Sequence, residues 1–66
     1  MPYISTKTNI ELAKDKRDAL AAKYGEIISI VPGKTERWLM LSFDGGAEMY
    51  FGGRGDEPMA YIELSL

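Results

Sequence analysis

The chain has 66 residues, a formal net charge of −2 and an isoelectric point near 4.9, which holds it to one domain, residues 1–66, with no basic footprint for nucleic acid. Cysteine and histidine are both absent, which removes disulfides, thiol chemistry, the usual zinc ligand sets and every Ser-His or Cys-His nucleophile. A domain of this size buries only about 60% of its unfolded surface, so oligomerisation is the staple that remains.

The start, Pro2-Tyr3-Ile4-Ser5-Thr6-Lys7-Thr8, is short and rich in β-branched and aromatic residues, which predicts a first strand. Pro2 has two readings here. Proline is tolerated at the first position of a strand; alternatively, removal of Met1 would leave Pro2 with a free secondary amine. An α-amino group titrates near pH ~8, and an apolar pocket or a nearby cation lowers that value by disfavouring the charged form, so the amine becomes a base at neutral pH. No basic segment followed by an apolar run opens the chain, and no stretch approaches ~20 apolar residues. The expectation is a cytoplasmic protein with no signal peptide and no membrane partner.

Thr8 and Asn9 are helix-capping types, and from Leu12 apolar residues recur at helical spacing through Ala13, Leu20, Ala21, Tyr24, Ile27, Ile28 and Val31. Lys14, Asp15, Lys16, Asp18, Lys23 and Glu26 form the solvated face. Gly25 weakens the helix by about 1 kcal/mol relative to alanine, and Pro32-Gly33 ends it. Arg37 to Phe43 then reads as a strand, Asp44-Gly45-Gly46 as a turn and Ala47 to Phe51 as the second arm of a hairpin. Gly52 to Pro58 is a loop, and Met59 to Ser65 is a last strand. The fold class is α+β: a β-α-β unit with a right-handed crossover, then a hairpin and a last strand, with the helix on one face of a mixed sheet. Because Leu39, Met40 and Leu41 follow one another, the other sheet face is expected to pack on further subunits. The tripeptide Arg54-Gly55-Asp56 spells an adhesion sequence, but its neighbouring glycines and proline already account for a tight loop. Gly45-Gly46 and Gly52-Gly53 precede no helix and are turn formers rather than a phosphate loop.

Pro2-Tyr3-Ile4 with Thr8-Asn9, then Pro32-Gly33-Lys34, Phe51-Gly52-Gly53 and Glu57-Pro58-Met59-Ala60, taken in this order and spacing, resemble the N-terminal half of macrophage migration inhibitory factor-like proteins of the tautomerase superfamily. The resemblance implies a keto-enol tautomerase acting on a phenylpyruvate-like α-keto acid or enol, with Pro2 as general base after loss of Met1. It also implies that Lys34 binds the substrate carboxylate and that Trp38 lines the pocket; Tyr3 neighbours the base. No cofactor and no metal are implied. Proteins of this type carry two such halves and form trimers, whereas the short members of the superfamily form hexamers, so the expected partners are further copies or a complementary half. The competing expectation is a non-catalytic assembly or cytokine-like interaction protein, or an inactive truncated fragment of a longer tautomerase. Read without the resemblance, Lys34 is a charge near a helix end and Trp38 a core or interface residue.

Overall fold

The computed structural model describes residues 1–66 and contains strand β1 (Tyr3–Thr8), helix α1 (Lys14–Ile28), a 3₁₀ turn (Glu36–Trp38), strand β2 (Met40–Asp44) and strand β3 (Ala60–Ser65). The strands form one sheet in the order β2-β1-β3. β1 runs parallel to β2, pairing Tyr3 with Met40 and Lys7 with Asp44, and antiparallel to β3, pairing Tyr3 with Ser65 and Thr8 with Ala60. This is the expected β-α-β unit with a mixed sheet and a last strand. No helix is long and apolar enough to cross a membrane.

Alternation along β1 decides where the core sits. Pro2, Ile4, Thr6 and Thr8 are buried while Lys7 is exposed, so the even positions face the helix. The register adds Leu41 and Phe43 from β2, and Ala60, Ile62 and Leu64 from β3, to that face. From the helix come Leu20, Ala21 and Tyr24, half-buried, and Ile28, of which only 2% is exposed. The Tyr24 and Phe43 rings stack with centroids 6.1 Å apart, and the Tyr24 and Thr6 hydroxyls share a hydrogen bond of 2.9 Å. These contacts seat α1 over β1 and β2. β3 receives no such cover, and all six of its residues are exposed.

Three expectations are corrected. Thr8 and Asn9 do not cap the helix, whose N-cap is Ala13 with no side-chain hydrogen bond. They tie the long connection to the end of β1: the Asn9 Oδ1 accepts from the Met59 N–H at 2.9 Å, its Nδ2 donates to the Glu57 carbonyl at 2.8 Å, and the Thr8 hydroxyl donates to the Met59 carbonyl at 2.7 Å. Ala47 to Phe51 is not a strand. Its first residue, Ala47, donates to the Thr8 carbonyl, and Gly46 just before it donates to the Ile10 carbonyl, so the chain leaves the turn toward the end of β1 rather than back alongside β2. Only Phe51 and Arg54 pair, in a minimal hairpin around Gly52 and Gly53, both with positive φ. Finally, Arg37 and Trp38 lie in the 3₁₀ turn and β2 begins at Met40, because the crossover must first bring the chain from the helix end back to the sheet.

Gly25 is buried in the helix with the Glu36 side chain laid across it; a Cβ there would run into the Glu36 carboxylate. That carboxylate is the end of a flexible, exposed side chain, so Gly25→Ala should be neutral to stabilising. Combined with Glu36→Ala, it should recover the helix-propensity gain of about 1 kcal/mol, read as a Tm rise of about 4–8 °C. A fall in Tm for the double variant would show that the obstruction is backbone packing.

Candidate functional site

One cavity of about 300 Å³ opens beside the start of β1, lined by Met1, Pro2, Gly33, Lys34, Thr35 and Trp38. That volume lies at the lower end of small-molecule sites. Pro2 is buried at its floor, where proline's missing N–H costs the ladder nothing, and its carbonyl accepts from the Met40 N–H at 2.9 Å, which anchors it to β2. With Met1 attached, the Pro2 nitrogen is an amide without a basic lone pair.

Lys34 reaches the cavity through a tight turn. The Lys34 N–H donates to the Val31 carbonyl at 3.0 Å, and the positive φ of Gly33, 80°, after Pro32 is the pattern of a type II turn. Lys34 is half-buried, and its Nζ donates to the main-chain oxygen of Leu66 at 3.2 Å. Lys7, Lys14, Lys23 and Arg54 each lie within 4.0 Å of a side-chain carboxylate, whereas Lys34 faces none. The Leu66 oxygen is thus the contact that positions the Lys34 ammonium at the cavity.

Trp38 borders the cavity from the end of the 3₁₀ turn, 61% exposed, with the Arg37 guanidinium carbon 5.1 Å from its ring centroid. Tyr3 is not among the lining residues. As an odd position of β1 it faces away from the helix, and its hydroxyl hydrogen-bonds the Ser42 hydroxyl at 2.7 Å. Of the sequence-predicted residues, Pro2, Lys34 and Trp38 come together and Tyr3 does not.

Thr35 and the Leu66 main chain were missed. Thr35 follows directly after Lys34 and could have been taken with it. Leu66 carried no local signal, because the antiparallel pairing of Tyr3 with Ser65 is what brings the end of β3 to the start of β1. In the distant loop, Arg54 forks onto Asp56, with Nε to Oδ1 at 3.3 Å and Nη2 to Oδ2 at 3.1 Å, and also contacts Glu57. The Arg54 hydrogen bond, aided by the backbone, holds the Asp56 carboxyl below the usual carboxylate range. In this structure the arginine and aspartate of the tripeptide are occupied with each other.

No protein-family model matches the chain, and no curated protein sequence matches it. Solved structures do. Leishmania major MIF2 superposes with a TM-score of 0.85 at 33% identity, over 97% of this chain and 54% of that one. A macrophage migration inhibitory factor homologue from Prochlorococcus marinus superposes with a TM-score of 0.65 at 25% identity, over 91% of this chain and 51% of that one. The chain spans about half the length of these proteins, and over nearly all of its own residues it has the macrophage migration inhibitory factor/tautomerase-like fold.

Proposed function

We propose that the chain is a keto-enol tautomerase for a phenylpyruvate-like α-keto acid, with Pro2 as general base once Met1 is removed. The observation that carries this reading is the single cavity shared by Pro2 and Lys34. The neutral amine takes the enol O–H proton and returns one to the adjacent carbon, so the enzyme ends each turnover unchanged. The Lys34 ammonium pairs with the substrate carboxylate and fixes its orientation, and Trp38 offers an aromatic wall for the phenyl ring. Met1 itself borders the cavity and is 73% exposed, so its removal would both free the amine and widen the entrance.

The test is the rate of ketonisation of enolic phenylpyruvate, after intact mass confirms that Met1 is gone. Lys34→Ala should lower kcat/KM by about ten- to a hundredfold, the worth of one hydrogen bond to a charged group, chiefly through KM. An unchanged KM would remove Lys34 from the site.

A second reading, a non-catalytic assembly protein, is favoured by the distribution of apolar surface. Only Ile4 and Ile28 form the buried apolar core, while Met40, Tyr50, Phe51, Tyr61, Ile62 and Leu64 are all exposed. Further copies of the chain, as a trimer or hexamer, or a complementary half would cover them. Association without any rate above buffer would select this reading over the enzyme.

A further inference from the structure

The buried threonine hydroxyls of β1 have partners inside the fold: Thr6 shares a hydrogen bond with Tyr24 at 2.9 Å, and Thr8 donates to the Met59 carbonyl at 2.7 Å. Thr35 differs. It is exposed and lines the cavity beside Lys34. It stands at the N-cap of the 3₁₀ turn, a position where a threonine hydroxyl commonly caps, yet its side chain makes no cap hydrogen bond. The turn is closed by the main chain instead, the Thr35 carbonyl accepting from the Trp38 N–H at 3.3 Å. The Thr35 backbone is extended, φ −137° and ψ 157°, and its β-branched side chain has few rotamers. The hydroxyl is thus presented at the cavity by a stiff side chain on a fixed turn, and the turn does not depend on it.

A lysine alone binds a carboxylate incompletely. Its ammonium is a compact charge on a flexible stem and sets no plane, whereas a carboxylate has two oxygens and about four acceptor sites. The oxygen that the ammonium does not reach keeps only water, and a ligand that fills the cavity displaces that water, which is unfavourable without a second donor. Three side chains with a polar hydrogen line the cavity: Lys34, Thr35 and Trp38. The indole is the aromatic wall. Thr35 follows Lys34 directly in the chain, and both open into the same space, so its hydroxyl is the donor placed to reach an anion that Lys34 holds.

We propose that the Thr35 hydroxyl donates to the second oxygen of the carboxylate paired with Lys34, and that the two side chains together select ligands bearing a carboxylate and fix its plane. The hydroxyl exchanges a bond to water for a charge-assisted one, which is shorter and stronger. The identity of the substrate rests on the tautomerase reading, but the clamp itself requires only a carboxylate. Thr35 takes no part in the proton transfer. Its loss should therefore raise KM and leave kcat nearly as it was.

Trp38 is the one tryptophan of the chain, so its fluorescence reports ligand entry without turnover. The probe is 3-phenylpropionate, which has a ring and a carboxylate but no oxygen on the adjacent carbon to enolise. It is titrated into the protein after removal of Met1, and into Thr35→Val and Thr35→Ser. Valine keeps the shape and loses the hydroxyl, while serine keeps the hydroxyl. The expected result is a Kd that rises about tenfold in Thr35→Val and stays within about threefold in Thr35→Ser, with unchanged circular dichroism in both. In ketonisation of enolic phenylpyruvate, KM should follow the same order. Equal affinity in Thr35→Val, a Thr35→Ser protein as weak as Thr35→Val, or no response of the unaltered protein to 3-phenylpropionate would each overturn the clamp. Binding that follows the hydroxyl in a protein without turnover would sustain the clamp and sink the tautomerase. Turnover indifferent to Thr35→Val would do the reverse.

Discussion

Ketonisation of enolic phenylpyruvate should fall about 10²- to 10⁴-fold when the chain is extended at its N-terminus so that Pro2 stays in an amide, the range expected for loss of a general base. An amide nitrogen has given its lone pair to the carbonyl and cannot accept the proton. Pro2→Ala is a milder change, because alanine at that position keeps a primary amine. Its lone pair is free to rotate, and the apolar ring that fills the buried position is gone, so a loss of at least about tenfold is expected. The two variants together separate chemistry from packing. The extended protein keeps the ring and loses the base, while the alanine protein keeps a base and loses the ring. Equal rates for the processed and extended proteins would remove Pro2 from the reaction, whatever the alanine variant does. On the proposed mechanism the processed protein should also gain rate with rising pH as the amine gives up its proton, and the extended protein should lack that dependence.

Ile28→Ala should cost about 2–5 kcal/mol of stability, as large-to-small changes at filled sites do. Ile28 is 2% exposed and is the one buried apolar side chain that the helix contributes to the core, whereas its neighbour Ile27 is 54% exposed. A domain of 66 residues has about 3–10 kcal/mol to lose in total, so the variant stands at the edge of unfolding. Ile27→Ala, by contrast, removes a side chain that is already half in water and should cost under about 1 kcal/mol. Urea unfolding followed by circular dichroism measures both, and equal costs would contradict the placement of the core. The effect should reach the cavity as well. The Ile28 carbonyl accepts from the Val31 N–H, and Val31 accepts from Lys34, so loosening the end of α1 loosens the turn that presents the lysine.

How much of this was legible in the sequence differs from one segment to the next, for physical reasons. β1 was read from its β-branched and aromatic composition, the helix from its apolar spacing and β3 from the alternating character of its residues, all of them local signals. The Pro32-Gly33 turn was legible because positive φ and a fixed φ have residue signatures. The segment from Ala47 to Phe51 alternates in apolar character as a strand would, yet the N–H groups of Ala47 and of Gly46 just before it are taken by Thr8 and Ile10. That competition is non-local and leaves no trace in the segment itself. Asn9 shows the same limit: its capping chemistry was recognised, but its partners are Glu57 and Met59, some fifty residues away. At the cavity, Pro2, Lys34 and Trp38 were reached through family resemblance rather than spacing. Tyr3 was placed beside the base by adjacency, and strand alternation turned it to the opposite face.

The position of β1 in the middle of the sheet also governs how the chain folds. Tyr3 pairs with Met40 on one side and Ser65 on the other, so neither neighbour is close in sequence and no hairpin can nucleate the sheet. Contacts this distant require long loops to close before any strand pairing is gained, which slows folding relative to helical proteins of the same size. The helix can form early, but the first strand waits for the last. During that wait β1 and β3 both present unpaired edges, and a second chain can pair with either as readily as the chain's own partner strand can. Refolding yield should therefore fall as protein concentration rises.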